Sequence, residues 1–99
     1  MQWFGWFRAG EAQAFGRELA GFLVQELRGN LDALNPKGRK KAEKTMVKAD
    51  RKVQDFRARH RLNVFQKSKL ANTFLWTLKE AGWSEQYANQ MTDWLTMRL

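Results

Sequence analysis

The fold of this chain is decided by residues 39–81, RKKAEKTMVKADRKVQDFRARHRLNVFQKSKLANTFLWTLKEA. These 43 residues lie between Gly38 and Gly82 and contain neither glycine nor proline. β-Branched residues are few, and apolar residues do not alternate with polar ones as they do in a half-buried strand. A long stretch without helix breakers favours helix. The sequence therefore predicts an all-α fold.

The same stretch carries a signal for one interruption. Its apolar pattern loses its members around residues 60–63, and Asn63 with Gln66 has the spacing of a capping box. This predicts that one helix ends near His60 and the next begins at Val64. The alternative is one continuous helix over 37–81, about 60 Å long for 40 residues at 1.5 Å each. A lone helix of that length could not bury its apolar stripes, so this alternative favours an oligomer.

Helices are also predicted on both sides of this stretch. Residues 11–28 carry one apolar stripe at spacings of three and four, and a second row of small residues (Ala12, Gly16, Ala20) where another helix can approach closely. Asn35-Pro36 is typical of a helix start. The prediction is a small bundle of about four helices, over residues 11–28, 36–60, 64–81 and 84–98.

The turn near the C-terminal end predicts how the last two helices are connected. Gly82 is placed to end the third helix, and Ser84 is a plausible N-cap for the fourth. Because the connection is so short, these two helices are expected to form an antiparallel hairpin.

Residues 1–99 are expected to form a single helical domain, with an aromatic N-terminal segment at 1–10 and a connector at 29–36. The N-terminal segment contains Trp3, Phe4, Trp6 and Phe7. These rings are suited to packing on the chain's own core, or to anchoring the protein to a partner or a membrane interface.

The positive charge of the protein is concentrated in Lys37 to Arg61. This segment holds eleven basic and three acidic residues, and the seven basic and seven acidic residues elsewhere cancel. Its N-terminal turn places basic residues where the helix dipole is already positive. They are therefore either solvated or part of an anion site formed with the free N–H groups of the helix end.

A helix face rich in lysine and arginine binds phosphates electrostatically. We therefore predict a non-catalytic protein that binds a polyanion, with nucleic acid as the favoured ligand. Arg57, Arg59 and Arg61 would continue the track of basic residues. The predicted binding residues are Lys37, Arg39, Lys40, Lys41, Lys44, Lys48, Arg51 and Lys52.

The alternative hypothesis is a protein–protein interaction or structural module that self-associates. Ala42, Met46, Ala49, Val53 and Phe56 form a heptad seam, which suits either a coiled coil or packing on a neighbouring helix. A homo-oligomer is expected, and the basic face would then meet an acidic protein. The candidate interface residues are Trp3, Phe4, Trp6, Phe7, Met46, Val53 and Phe56. A less favoured hypothesis is peripheral membrane binding, with the N-terminal aromatic rings inserted and the basic helix on anionic lipid.

Catalysis is not expected from this composition. The chain has one histidine, no cysteine and two serines, and it has no glycine-rich phosphate loop. No metal, cofactor or small-molecule substrate is therefore predicted. No apolar run approaches the roughly 20 residues that a transmembrane helix needs, and Met1 to Phe7 does not resemble a secretory signal, so a cytoplasmic location is expected.

Overall fold

The computed structural model describes residues 2–27 and 36–99 of the chain, with side chains for residues 10–27 and 40–99. The described residues form four helices: α1 (Gln2–Glu26), α2 (Pro36–Arg59), α3 (Val64–Glu80) and α4 (Glu85–Thr96). They contain no strand. The predicted all-α bundle is confirmed.

The first helix differs from its prediction at both ends. It begins at Gln2 rather than at residue 11, so that residues assigned to a separate N-terminal segment belong to α1. Gly5 and Gly10 lie inside a helix at a cost of about 1 kcal/mol each relative to alanine, and no proline stops it. At the other end the helix finishes at Glu26, and Leu27 is in a turn. The predicted terminator Gly29 and N-cap Asn35 lie outside the described residues.

The predicted interruption between α2 and α3 is confirmed. α2 ends at Arg59 and α3 begins at Val64, with Asn63 as its N-cap. The Gln66 N–H donates to Asn63 Oδ1 and the Asn63 N–H donates to Gln66 Oε1, both at 2.8 Å. This capping box satisfies two backbone donors at the helix start, so the chain turns here without glycine or proline.

The α3–α4 connection is a glycine turn followed by a serine cap. Gly82 has φ of +96°. The Gly82 N–H donates to the Lys79 carbonyl at 3.0 Å, and the Trp83 N–H donates to the Leu78 carbonyl at 3.1 Å. These bonds form a Schellman motif, which ends α3. The Ser84 hydroxyl then accepts the Tyr87 N–H at 3.2 Å to begin α4. The two helices pack against each other, which is consistent with the predicted hairpin.

The most extensive helix–helix contact joins α1 and α3. Ala12 and Ala20 are fully buried, and between them a Cβ built on Gly16 would lie 2.5 Å from the Leu70 carbonyl oxygen. The row of small residues therefore allows the two backbones to approach closely, as predicted. Apolar side chains from both helices surround this contact, among them Leu19, Leu23, Leu70, Phe74 and Leu78.

α2 lies on α1 through a narrower contact. Ala49, Val53 and Phe56 are buried, and Met46 is partly buried against the core. The Phe56 ring stacks on Phe15 with centroids 4.2 Å apart and planes 9° apart. The predicted heptad seam is thus used for packing inside one chain.

The end of the chain returns to α2. Arg98 Nε donates to Asp50 Oδ1 at 3.0 Å, and Arg98 Nη1 donates to the Trp94 carbonyl at 3.1 Å. The guanidinium also lies 4.4 Å from the centroid of the Trp94 ring. Arg98 therefore connects the end of α4 to the middle of α2.

Candidate polyanion-binding surface

The predicted binding residues whose side chains the structure describes all lie on α2 and are all exposed. They are Lys40, Lys41, Lys44, Lys48, Arg51 and Lys52. Their exposure follows from the narrow contact with α1, because a helix that buries one seam leaves the rest of its circumference to solvent. Long basic side chains also favour helix, so the local sequence is compatible with this structure.

Five of these cations share one flank of α2. At 3.6 residues per turn, Lys41, Lys44 and Lys48 follow one another along the same side of the buried seam. Lys52 continues that row, Arg51 lies at its outer edge, and Lys40 lies only about 20° beyond Arg51 around the helix. We call the set Lys41, Lys44, Lys48, Arg51 and Lys52 the lysine flank.

Two of the three acidic residues of α2 lie off the lysine flank. Glu43 and Asp50 lie on the other side of the seam, and Asp50 is paired with Arg98. Asp55 lies on the same side of α2 as the flank, one turn after Arg51 and Lys52. No cation of the lysine flank lies within ion-pair distance of a carboxylate among the residues described. The flank therefore presents uncompensated positive charge.

The spacing of the flank suits a row of phosphates. Eleven residues separate Lys41 from Lys52, which is about 17 Å of helix at 1.5 Å per residue. Five cations over that length average about 4 Å apart along the axis, a dense row of charge of the kind that attracts phosphates electrostatically. Lysine side chains have several rotatable bonds, so the ammonium groups can adjust to a backbone of slightly different pitch.

Beside the flank, α1 and α2 enclose an open groove of about 620 Å³. Lys52 Nζ lies 4.8 Å from the Phe22 ring centroid, so its ammonium covers an aromatic ring on the groove wall. Such a cation–π contact at an exposed site contributes about 0.5–1 kcal/mol. The groove also contains Glu18, Asp55 and Arg59, which gives it mixed charge. It is therefore less suited to a polyanion than the flank itself.

Two predicted binding residues, Lys37 and Arg39, have side chains outside the described residues. Their backbone lies in the first turns of α2, which begins at Pro36 as predicted. The anion site expected at this helix start depends on those side chains and stays a prediction. The interface candidates Trp3, Phe4, Trp6 and Phe7 also have side chains outside the described residues.

The remaining interface candidates belong to the core of the single chain. Val53 is 0% exposed and Phe56 is 5% exposed, and Met46 packs partly against the same core. Their apolar area is already covered by α1, so in this structure they offer little surface to a second copy. The exposed apolar residues lie elsewhere, with Phe65 and Trp76 on α3 each more than half exposed.

The arginines after the flank separate in space. Arg59 Nε donates to the Asp55 carbonyl at 3.3 Å and stays on the groove side. Arg57 and Arg61 lie on a different side, beside Lys67 of α3. The basic track predicted from sequence therefore divides after Lys52. Arg59 stays on the side of Lys52, and Arg57 and Arg61 lie away from it. Lys67 was missed, because only the direction of the turn at residues 60–63 brings it close to α2.

His60 has an acidic partner that is distant in sequence. Its Nδ1 lies 3.1 Å from Glu11 Oε2, and its ring lies 4.5 Å from the Phe56 ring centroid. Sequence neighbours alone gave it no such partner. The contact joins the end of α2 to α1, so a structural role accounts for this histidine.

Among residues with described side chains, no three histidine, aspartate or glutamate residues converge in a way that would hold a metal ion. None of the described helices combines the length and apolar character required to cross a membrane. Comparisons of the chain with family models, with curated proteins and with solved structures give no match.

Proposed function

We propose that this protein binds nucleic acid without sequence preference, through the lysine flank of α2. The observation that carries the proposal is the row of five exposed cations on one side of a helix, with no described carboxylate paired to them. Each phosphate that such a cation neutralises releases condensed counterions, which makes binding favourable at low salt. The contacts would position the backbone of the nucleic acid and would not identify its bases.

The test is the salt dependence of binding to random-sequence duplex DNA and RNA, measured by fluorescence anisotropy. If four or five phosphates are neutralised, the logarithm of the association constant falls with the logarithm of salt concentration with a slope of about −4. The Lys44→Gln/Lys48→Gln variant should weaken binding and lower the magnitude of that slope by about 2.

The matched control is Lys69→Gln/Lys79→Gln, which removes the same charge from α3. These lysines cover the Phe65 and Trp76 rings and lie off the flank. The control should bind almost as tightly as the unaltered protein. Equal weakening by both variants would mean that net charge alone governs binding, and absence of binding at low salt would refute the proposal.

A second candidate function is a self-associating interaction module, favoured by the exposed apolar side chains of α3. Val64 is 81% exposed, Phe65 56% and Trp76 53%. Aromatic residues are common anchors of protein interfaces. Sedimentation equilibrium should then give a mass of at least twice 11.7 kDa. A monomer at tens of micromolar would remove this candidate and leave the first one intact.

A further inference from the structure

A second group of cations surrounds a small cavity where α2 turns into α3. The cavity has a volume of about 170 Å³ and is lined by Arg57, His60, Arg61, Leu62, Lys67 and Leu99. No acidic residue is among these. The lining residues lie off the lysine flank, so the cavity is separate from the surface proposed above.

The turn itself creates this convergence. Arg57 lies in the last turn of α2, Arg61 in the connector, and Lys67 one turn into α3. The Asn63–Gln66 capping box stabilises the start of α3 after the turn, and Lys67 borders the same cavity as the two arginines. The three cations therefore line one space.

The nearby negative charge does not neutralise them. Glu11 is 3.1 Å from His60 Nδ1 and lies on the α1 side of the cavity. Arg57, Arg61 and Lys67 have no ion pair with a described carboxylate. With Glu11 included and His60 counted as neutral, the side chains of this group carry a net charge of +2.

Helix dipoles explain part of this arrangement. Arg57 is favourable at the C-terminal end of α2, where the dipole is negative. Lys67 is close to the N-terminal end of α3, where the dipole is positive and a cation is disfavoured. Arg61 belongs to no helix end. A bound anion would stabilise both Lys67 and Arg61, and no described carboxylate does so.

The size and chemistry of the cavity define the ligand class. Sites for drug-sized molecules occupy about 300–1,000 Å³, whereas this space equals about six waters at roughly 30 Å³ each. A phosphate group has five heavy atoms. Guanidinium groups bind phosphate oxygens in a bidentate manner, and lysine adds a point charge.

We propose that Arg57, Arg61 and Lys67 form a binding site for a single dianionic phosphate group. The group is either free inorganic phosphate or the terminal phosphate of a nucleic acid. The site does not depend on the lysine flank, and each can be present without the other.

The test is a titration of the isotope-labelled protein with inorganic phosphate, followed by amide chemical shifts, with chloride adjusted to keep ionic strength constant. Saturable shifts are expected at residues 57–67 and not at residues 40–52. The Arg61→Gln/Lys67→Gln variant should bind phosphate at least about tenfold more weakly, because it loses two charge-assisted contacts. The Lys44→Gln/Lys48→Gln variant should retain its phosphate affinity within about twofold.

Unchanged amide shifts outside residues 57–67 will show that the Arg61→Gln/Lys67→Gln variant is folded. If that variant does not fold, Arg57→Gln is used in its place. Non-saturable shifts spread over all basic residues, or equal weakening by the flank variant, would overturn the proposal. The source of the phosphate is distinguished with an oligonucleotide carrying either a 5′-phosphate or a 5′-hydroxyl. Tighter binding of the phosphorylated form, lost in Arg61→Gln/Lys67→Gln, identifies a nucleic-acid end, and equal binding of the two identifies free phosphate.

Discussion

Helix α3 and helix α2 both pack on α1, but the two contacts are built differently. α3 approaches α1 backbone to backbone at Gly16, among fully buried leucine and phenylalanine side chains. α2 is held by one seam that combines the small residues Thr45 and Ala49 with Val53 and Phe56. The first contact supplies stability with little free surface, whereas the second leaves most of a charged helix in solvent. The proposed binding surface therefore lies on the helix with the narrower contact to α1.

The largest expected difference comes from removing one phenylalanine ring from each contact. Phe74→Ala should destabilise the protein by about 3–5 kcal/mol, because Phe74 is fully buried between α1 and α3. Phe56→Ala should cost about 3 kcal/mol or less, since its site borders solvent and can collapse more easily. Urea unfolding followed by circular dichroism measures both.

Amide hydrogen exchange tests whether the α1–α2 contact can open separately from the α1–α3 contact. In Phe56→Ala, amides of α2 should lose protection while those of α1 and α3 keep theirs, because α2 can open as a separate unit. If Phe56→Ala unfolds the whole chain as severely as Phe74→Ala, the two contacts are equivalent and the comparison fails.

Two glycines of α1 test the close approach. Gly16→Ala places a Cβ 2.5 Å from the Leu70 carbonyl oxygen, so the helices must separate. The expected cost of overpacking is about 1–3 kcal/mol. A Cβ on Gly21 meets nothing within 4 Å, and Gly21→Ala should stabilise the protein by about 0.5–1 kcal/mol through helix propensity. Thermal unfolding should therefore shift in opposite directions, and a stabilising Gly16→Ala would contradict the close contact.

The smallest effect is expected at the link between α2 and the chain end. Arg98→Gln removes the Asp50 ion pair and the contact with the Trp94 ring. Both partners are partly exposed, so a loss of about 1 kcal/mol is expected. Glu85→Gln, at the more exposed Lys79–Glu85 pair, is the control and should change stability by less than about 0.5 kcal/mol. An equal loss in the two variants would show that Arg98 does not hold α2.

Local signals in the sequence predicted much of the fold. The Asn63–Gln66 spacing, Gly82 and Ser84 each predict a helix boundary, because each stabilises a helix end through local backbone conformation or hydrogen bonds. The start of α1 escaped prediction because its glycines and aromatic rings resemble a helix boundary locally, although α1 continues to Gln2.

The candidate sites were predicted to different extents. The lysine flank follows from helical periodicity on a single element, so its described residues were identified in advance. The Glu11–His60 contact and the cavity around Arg57, Arg61 and Lys67 depend on how separate helices are oriented. Periodicity within one helix carries no information about that orientation.

The narrow seam of α2 has a consequence for how the sequence can change. Between residues 40 and 59, the buried positions are Thr45, Ala49, Val53 and Phe56. The exposed positions in that range can exchange charge or size with little effect on packing, since surface substitutions usually change stability by less than about 0.5 kcal/mol. The exposed face of α2 can therefore change in charge while α1 and α3 preserve the fold, which also makes α2 a convenient place to design binding surfaces.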